Sequence, residues 1–126
     1  MYVADTDVSI DYMRGKQGVV KLLDSIEELH LTTITLAELF FGVYSLKSER
    51  LLSSLKSYIQ KFNCLPFQLW DSIKFGEIKA GLKKKGSLID DADIMIAAIV
   101  ASYDFTLITR NVKDFQRING LKILEA

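Results

Sequence analysis

The stretch Asp90-Asp91-Ala92-Asp93-Ile94-Met95-Ile96-Ala97-Ala98 sets three carboxylates at the head of an apolar run. Read as a helix from about Asp91 to Tyr103, it places Asp93 on one face with Ile96, Ala97 and Val100, so this carboxylate tops a stripe that faces a core. Part of the acid has an ordinary explanation. Asp90 fits an N-cap, and the positive end of the helix dipole favours Asp91 and Asp93 by ~0.3–1 kcal/mol each at an exposed site. Asp93 is the residue that this leaves over, because a carboxylate on a buried face needs a partner.

Working outward, the helix leads into Thr106-Leu107-Ile108-Thr109, which reads as a strand, and the same alternation runs through the chain. Met1 to Ala4 is a continuous apolar run ending on Asp5-Thr6-Asp7, a buried parallel strand giving way to a helix start. A helix from about Val8 to Met13, punctuation at Gly15 and Gly18, and a helix over Val19 to Leu29 follow. Leu29 to Ile34 alternates β-branched with polar residues and reads as a second strand. Thr35-Leu36-Ala37-Glu38 fits the Ser/Thr-x-x-Glu capping box opening the next helix. An amphipathic helix covers roughly Glu49 to Lys61, and Phe62 to Phe67 is a third strand marked by the only proline, Pro66. A long helix from about Leu69 to Lys85 stops at Gly86, with Lys83, Lys84 and Lys85 suited to its negative end. Asn111 to Arg117 forms a short helix and Leu121 to Leu124 a last strand. The pattern predicts a three-layer α/β/α fold around a mostly parallel sheet of four to five strands, as one domain over residues 1–126.

Composition narrows the chemistry. With 126 residues, 49% of them hydrophobic, the chain can bury a sizeable core. Sixteen basic residues balance sixteen acidic ones, so any nucleic-acid binding must rest on local patches. One cysteine, Cys64, and one histidine, His30, rule out a structural zinc site of the usual Cys/His kind. Cys64, inside an apolar run, is expected to be a small buried hydrophobe in a reducing compartment. The N-terminus has no basic leader, and no stretch approaches the ~18 apolar residues of a membrane span, so a cytoplasmic protein is expected.

In an open parallel sheet ligands bind beyond the carboxyl ends of the strands. Asp5 follows the first strand, Glu38 lies in the helix after the second, Asp93 opens the helix before the fourth, and Asn111 and Asp114 follow Thr109. Singly these acids are explained by caps: Glu38 by Thr35, Asp7 or Thr6 by the first helix start, Asp114 by Asn111. Gathered together they repel one another, which raises their pKa values unless a cation intervenes. A hard divalent ion such as Mg²⁺ or Mn²⁺ accepts carboxylate oxygen, keeps several waters and shares sites with substrate phosphate.

These residues resemble those of the PIN-domain ribonucleases, specifically the VapC-like toxins of type II toxin–antitoxin pairs. The resemblance rests on Asp5-Thr6-Asp7 after the first strand and on Thr33-Ile34-Thr35-Leu36-Ala37-Glu38-Leu39-Phe40-Phe41-Gly42. It continues in Gly86 ahead of Asp93-Ile94-Met95-Ile96-Ala97-Ala98, and in Leu107-Ile108-Thr109-Arg110-Asn111 with Asp114-Phe115 and Gly120-Leu121. It covers nearly the whole chain. It implies a metal-dependent endoribonuclease in which Asp5, Glu38 and Asp93 hold Mg²⁺ or Mn²⁺ and Asp114 is a fourth catalytic acid. Either Asn111 or Asp114 supports the metal. Asp90 and Asp91 fall outside the pattern and read as helix-cap and supporting groups, while Thr6, Asp7 and Thr109 are placed to support the ligands. Arg110 and Lys113 are the nearest candidates for RNA phosphate, ahead of Arg14, Lys16, Lys83 to Lys85 and Arg117. The implied partners are an RNA substrate, with tRNA one possibility, a cognate VapB-like antitoxin and a second copy of the chain. The Phe40-Phe41-Tyr44 group and the Leu51-Leu52-Leu55-Tyr58 face offer apolar surface for the protein contacts.

Two other readings compete. A haloacid-dehalogenase-like phosphatase would use Asp5 as nucleophile and Asp7 as acid, with Asp90-Asp91 as metal pair, but leaves Glu38 idle. A phosphoacceptor receiver domain has similar length and requires an aspartate after the third strand, where Phe67-Gln68 stands instead.

Overall fold

A computed structural model describes residues 1–126. In chain order the elements are β1 (Tyr2–Ala4), α1 (Thr6–Met13), α2 (Gln17–Asp24), β2 (Leu29–Thr32), α3 (Thr33–Leu46), α4 (Glu49–Ile59), β3 (Asn63–Leu65), α5 (Leu69–Lys84), α6 (Asp91–Ser102), β4 (Thr106–Thr109), α7 (Val112–Phe115) and β5 (Lys122–Glu125). The five strands form one sheet in the order β3-β2-β1-β4-β5, and all pairings are parallel. The chain builds outward from β1 through β2 to β3, then crosses to β4 and β5. The order therefore reverses between β1 and β4, the crevice where open α/β sheets bind ligands. The order also separates this sheet from the 2-1-3-4-5 arrangement of receiver-type folds.

Strand alternation divides the core in two. Val3 and Leu107 point to the face covered by Leu82 of α5 and by Ile96, Ile99 and Val100 of α6, joined by Phe115. Ala4 and Ile108 point to the opposite face, against Val8, Leu23, Leu39, Leu55 and Tyr58 of α1 to α4. The three layers expected from the sequence are present. No helix is long and apolar enough to cross a membrane.

Several local expectations are corrected. Helix α3 begins at Thr33, one residue after β2 ends, because the fully buried Thr32 caps it by accepting from the Thr35 amide at 3.1 Å. The Thr35–Glu38 capping box does not form, and Glu38 is released for another partner. Helix α2 starts at Gln17 and runs through Gly18. Strand β3 is a short edge strand on which Cys64 is exposed rather than buried. Gly86 does end α5 as expected: at φ +68° it carries the left-handed turn in which the Ser87 amide reaches back to the Leu82 carbonyl at 2.9 Å.

Helix α7 is only four residues long and is anchored by Phe115, which is fully buried in the core under α5 and α6. Phe115→Ala is expected to cost ~3–5 kcal/mol in urea denaturation and to loosen the neighbouring Asp114.

Candidate active site

Asp5 leaves β1 and caps α1. Its backbone continues the β1–β4 ladder, donating to the Ile108 carbonyl at 2.9 Å, and its Oδ1 accepts from the Thr6 amide at 2.8 Å. Oδ2 accepts from the Thr109 hydroxyl at 2.7 Å, in a fully buried bond between residues 104 apart in sequence. The parallel register, Ala4 beside Ile108, makes this pairing inevitable, since the next residues on the two strands are Asp5 and Thr109. Thr109 Oγ1 in turn accepts from the Asn111 amide at 2.9 Å.

Glu38 comes in from α3. The Thr6 hydroxyl lies 2.7 Å from its Oε1 and 3.0 Å from the Thr35 hydroxyl, tying the start of α1 to α3. Asp93 is half-buried at the top of α6. Asp114 on α7 accepts from the Asn111 side-chain amide at 3.1 Å and lies 3.5 Å from the Arg117 guanidinium. Asn111 occupies the N-cap position of α7 without capping it.

The electrostatics tie these acids into one group. Burial pushes the Asp5 carboxyl up to about 7; the Thr109 hydrogen bond opposes this, and the charges of Asp7 and Asp93 add to it. Asp93 is pushed up to about 6, first by burial and then by Glu38, Asp90, Asp114 and Asp7. Asp5, Glu38 and Asp93 take part in no ion pair. Asp7 Oδ1 is buried without a donor.

Other residues have been drawn elsewhere. Asp90 stands at the N-cap of α6 but makes no capping hydrogen bond, and Asp91 pairs with Lys79 of α5 at 2.8 Å. Arg110 is turned back onto α1, its Nε 2.9 Å from Asp11 and 3.9 Å from Asp7, while its amide donates to Asp7 Oδ2 at 3.2 Å. Lys113 is exposed and unpaired. The Asp7–Asp11–Arg110 clamp escaped the sequence reading, although Asp7 and Asp11 are four apart and so share a face of α1.

All donors around the crevice are oxygens, two of the carboxyls are held above their ordinary range by burial and mutual repulsion, and one buried oxygen is unsatisfied. The group therefore fits a hard divalent cation. No three acids form a closed ligand set. A cation here would be held by one or two carboxylates with water completing the shell, the arrangement Mg²⁺ favours.

The PIN domain family model matches residues 2–121. Ribonuclease VapC2 of Rickettsia felis is 31% identical over 99% of this chain and 96% of its own length. The tRNA(fMet)-specific endonuclease VapC of Salmonella typhimurium is 29% identical over 97% of this chain and 95% of its own. Among solved structures, DNA-bound VapBC from Salmonella typhimurium superposes with a TM-score of 0.92 at 28% identity, covering 98% of this chain and 96% of that one. The chain belongs to the PIN-domain family. The phosphatase alternative finds no support: the family is a different one, and Glu38, which that reading leaves idle, sits with Asp93.

The pH dependence of the metal-free protein follows from the two raised carboxyls. A carboxyl bound more tightly to its proton in the folded state stabilises the fold fully below its ordinary value of 3.8, and this is lost as pH rises to the folded value, here about 6 and about 7. In EDTA, thermal unfolding is expected to show Asp5→Asn gaining on the wild type between pH 5 and pH 7.5, by a few degrees. Parallel pH profiles for the two proteins would contradict this.

Proposed function

We propose that the chain is a Mg²⁺- or Mn²⁺-dependent endoribonuclease toxin restrained by a VapB-like antitoxin. The observation that carries this reading is the gathering of Asp5, Glu38 and Asp93 at the reversal point of the sheet, with no neighbouring cation to neutralise them. The names of the relatives, ribonuclease and endonuclease, supply the reaction class.

In this reading Asp5 and Asp93 would hold the cation, Glu38 would join them directly or through water, and Asp114 completes the acidic wall. A bound divalent ion supplies charge stabilisation at the phosphate and eases ionisation of water. The chain's own groups do the positioning. Thr109 and the Thr6 amide fix both oxygens of Asp5, Thr6 orients Glu38, and Asn111 orients Asp114. Asp7 supports the site by adding negative charge beside Asp5 and Asp93. Asp91 acts at a distance, through the Lys79 pair that seats the head of α6. Lys113 is free to meet substrate phosphate, and Arg110, although clamped, remains half-exposed beside it. The substrate is RNA, with tRNA the class suggested by the Salmonella relative's name.

A groove of about 480 Å³ between α1, α3 and α4, lined by Met13, Leu39, Leu46 and Leu51 with Arg14 and Arg50, reaches Glu38 and suits an apolar antitoxin segment. The sequence-based candidates for such contacts divide: Leu55 and Tyr58 are buried core, whereas Phe41 and Tyr44 are 75% and 62% exposed. Leu69, Trp70 and Ile73, at 72%, 59% and 60% exposed on α5, are available for a second copy. Function in the cytoplasm follows from an RNA target.

The test is cleavage of total RNA by antitoxin-free protein with and without Mg²⁺ or Mn²⁺. Asp93→Asn is expected to lose activity beyond the ~10–100-fold typical of outer partners, the range expected for Thr109→Val. Equal cleavage by Asp93→Asn and wild type, or cleavage indifferent to EDTA, would overturn the proposal.

A further inference from the structure

Away from the acids, a cavity of about 370 Å³ lies between α5, the end of α6 and the segment joining α7 to β5. Four basic side chains line it: Lys74, Lys85, Arg117 and Lys122. Only Glu77 and Asp104 oppose them, and Asp104 is occupied by Lys122 at 3.0 Å. Lys74 and Lys85 take part in no ion pair. The floor is apolar, formed by Ile78, Leu82, Phe105 and Ile118. A basic rim over an apolar floor matches a nucleotide, whose base has an apolar face and whose phosphate is anionic.

The cavity and the candidate active site have one neighbour in common, Arg117. It lines the cavity, lies 3.5 Å from Asp114 and donates to the Leu88 carbonyl at 3.3 Å, so its guanidinium stands between the acids and the cavity. From there the cavity extends to Asp104, just ahead of β4, and Lys122, the first residue of β5, and so to the opposite edge of the sheet. A four-residue strand spans about 13 Å, which sets the length of the path.

We propose that this cavity is an accessory RNA subsite, in which a nucleotide flanking the cleaved bond seats its base on the Ile78–Phe105 floor and the phosphates on its two sides meet Lys74 and Lys85, about three turns apart on α5. The assignment rests on the endoribonuclease reading above. It adds a second contact region, separate from the acids, where substrate charge is met by cations that the fold leaves unpaired. Since the acidic crevice repels a polyanion, affinity for the strand has to come from ground such as this.

The experiment compares Lys74→Gln/Lys85→Gln with Lys21→Gln/Lys56→Gln, a control pair of exposed lysines on α2 and α4. Binding of a short, fluorescently labelled single-stranded RNA is followed by anisotropy in EDTA over a salt series, and cleavage of the same RNA is followed with Mg²⁺ or Mn²⁺. The cavity pair is expected to lose about tenfold in affinity and to flatten the log–log salt slope by about 1.4, the value for two single-strand phosphate contacts. The loss in cleavage should fall on KM. Unchanged affinity, an equal loss in the control pair, or no RNA binding by the wild type would overturn the subsite. Its failure is separable from that of the nuclease reading. A wild type that cuts RNA while the cavity pair keeps its KM removes the subsite alone. A wild type that binds through these lysines without metal-dependent cleavage removes the nuclease reading, and with it the cleaved bond, and leaves the cavity as an RNA-binding site alone.

Discussion

The fold's central constraint is the buried bond from the Thr109 hydroxyl to Asp5 Oδ2. Asp5 is simultaneously the last link of the β1–β4 ladder, the cap of α1 and the carboxylate nearest the reversal of the sheet. A carboxylate in that position costs desolvation, and its proton affinity rises accordingly. The Thr109 and Thr6 bonds recover part of the cost, because hydrogen bonds to an ionised oxygen are stronger than neutral ones. They also fix the direction of both oxygens. The penalty that remains is carried by the two apolar layers on either side, whose largest members are fully buried.

The same logic explains why so many connections are made by threonine. Thr32 caps α3, Thr6 bridges α1 to α3 through Thr35 and Glu38, and Thr109 bridges β4 to β1. Each is a β-branched residue that suits a strand end and carries a hydroxyl able to donate or accept. The acids are thereby oriented by short neutral side chains rather than by cations, which leaves their charge uncancelled.

Element order and sheet type were legible in the sequence because hydrophobic period and turn chemistry agree along most of the chain. Gly86 and the apolar runs of β1, β4 and α6 are examples. The start of α3 was not, since Thr32 and Thr35 are both plausible caps and only the burial of Thr32 decides between them. Cys64 was misjudged for a related reason: an apolar run signals a strand, but not whether that strand lies at the edge of its sheet. The gathering of Asp5, Glu38 and Asp93 was foreseeable from their places after or before strands, given a parallel sheet. The Arg110 clamp was not foreseen, because a long side chain beside the site can turn either way and sequence does not record which.

That clamp bears on how a chain of zero net charge maintains an uncompensated acidic crevice. The nearby cations are each drawn to an acid on the periphery: Arg110 and Lys16 to Asp11, Lys79 to Asp91, Arg117 to Asp114. The inner acids Asp5, Glu38 and Asp93 are left with hydroxyl and amide donors at most. Had Arg110 swung by its long side chain onto Asp5 or Asp93, it would offset the repulsion that adds to the effect of burial on their carboxyls. Asp11, a residue with no place in any motif, therefore keeps the negative charge of the crevice intact by holding an arginine away from it.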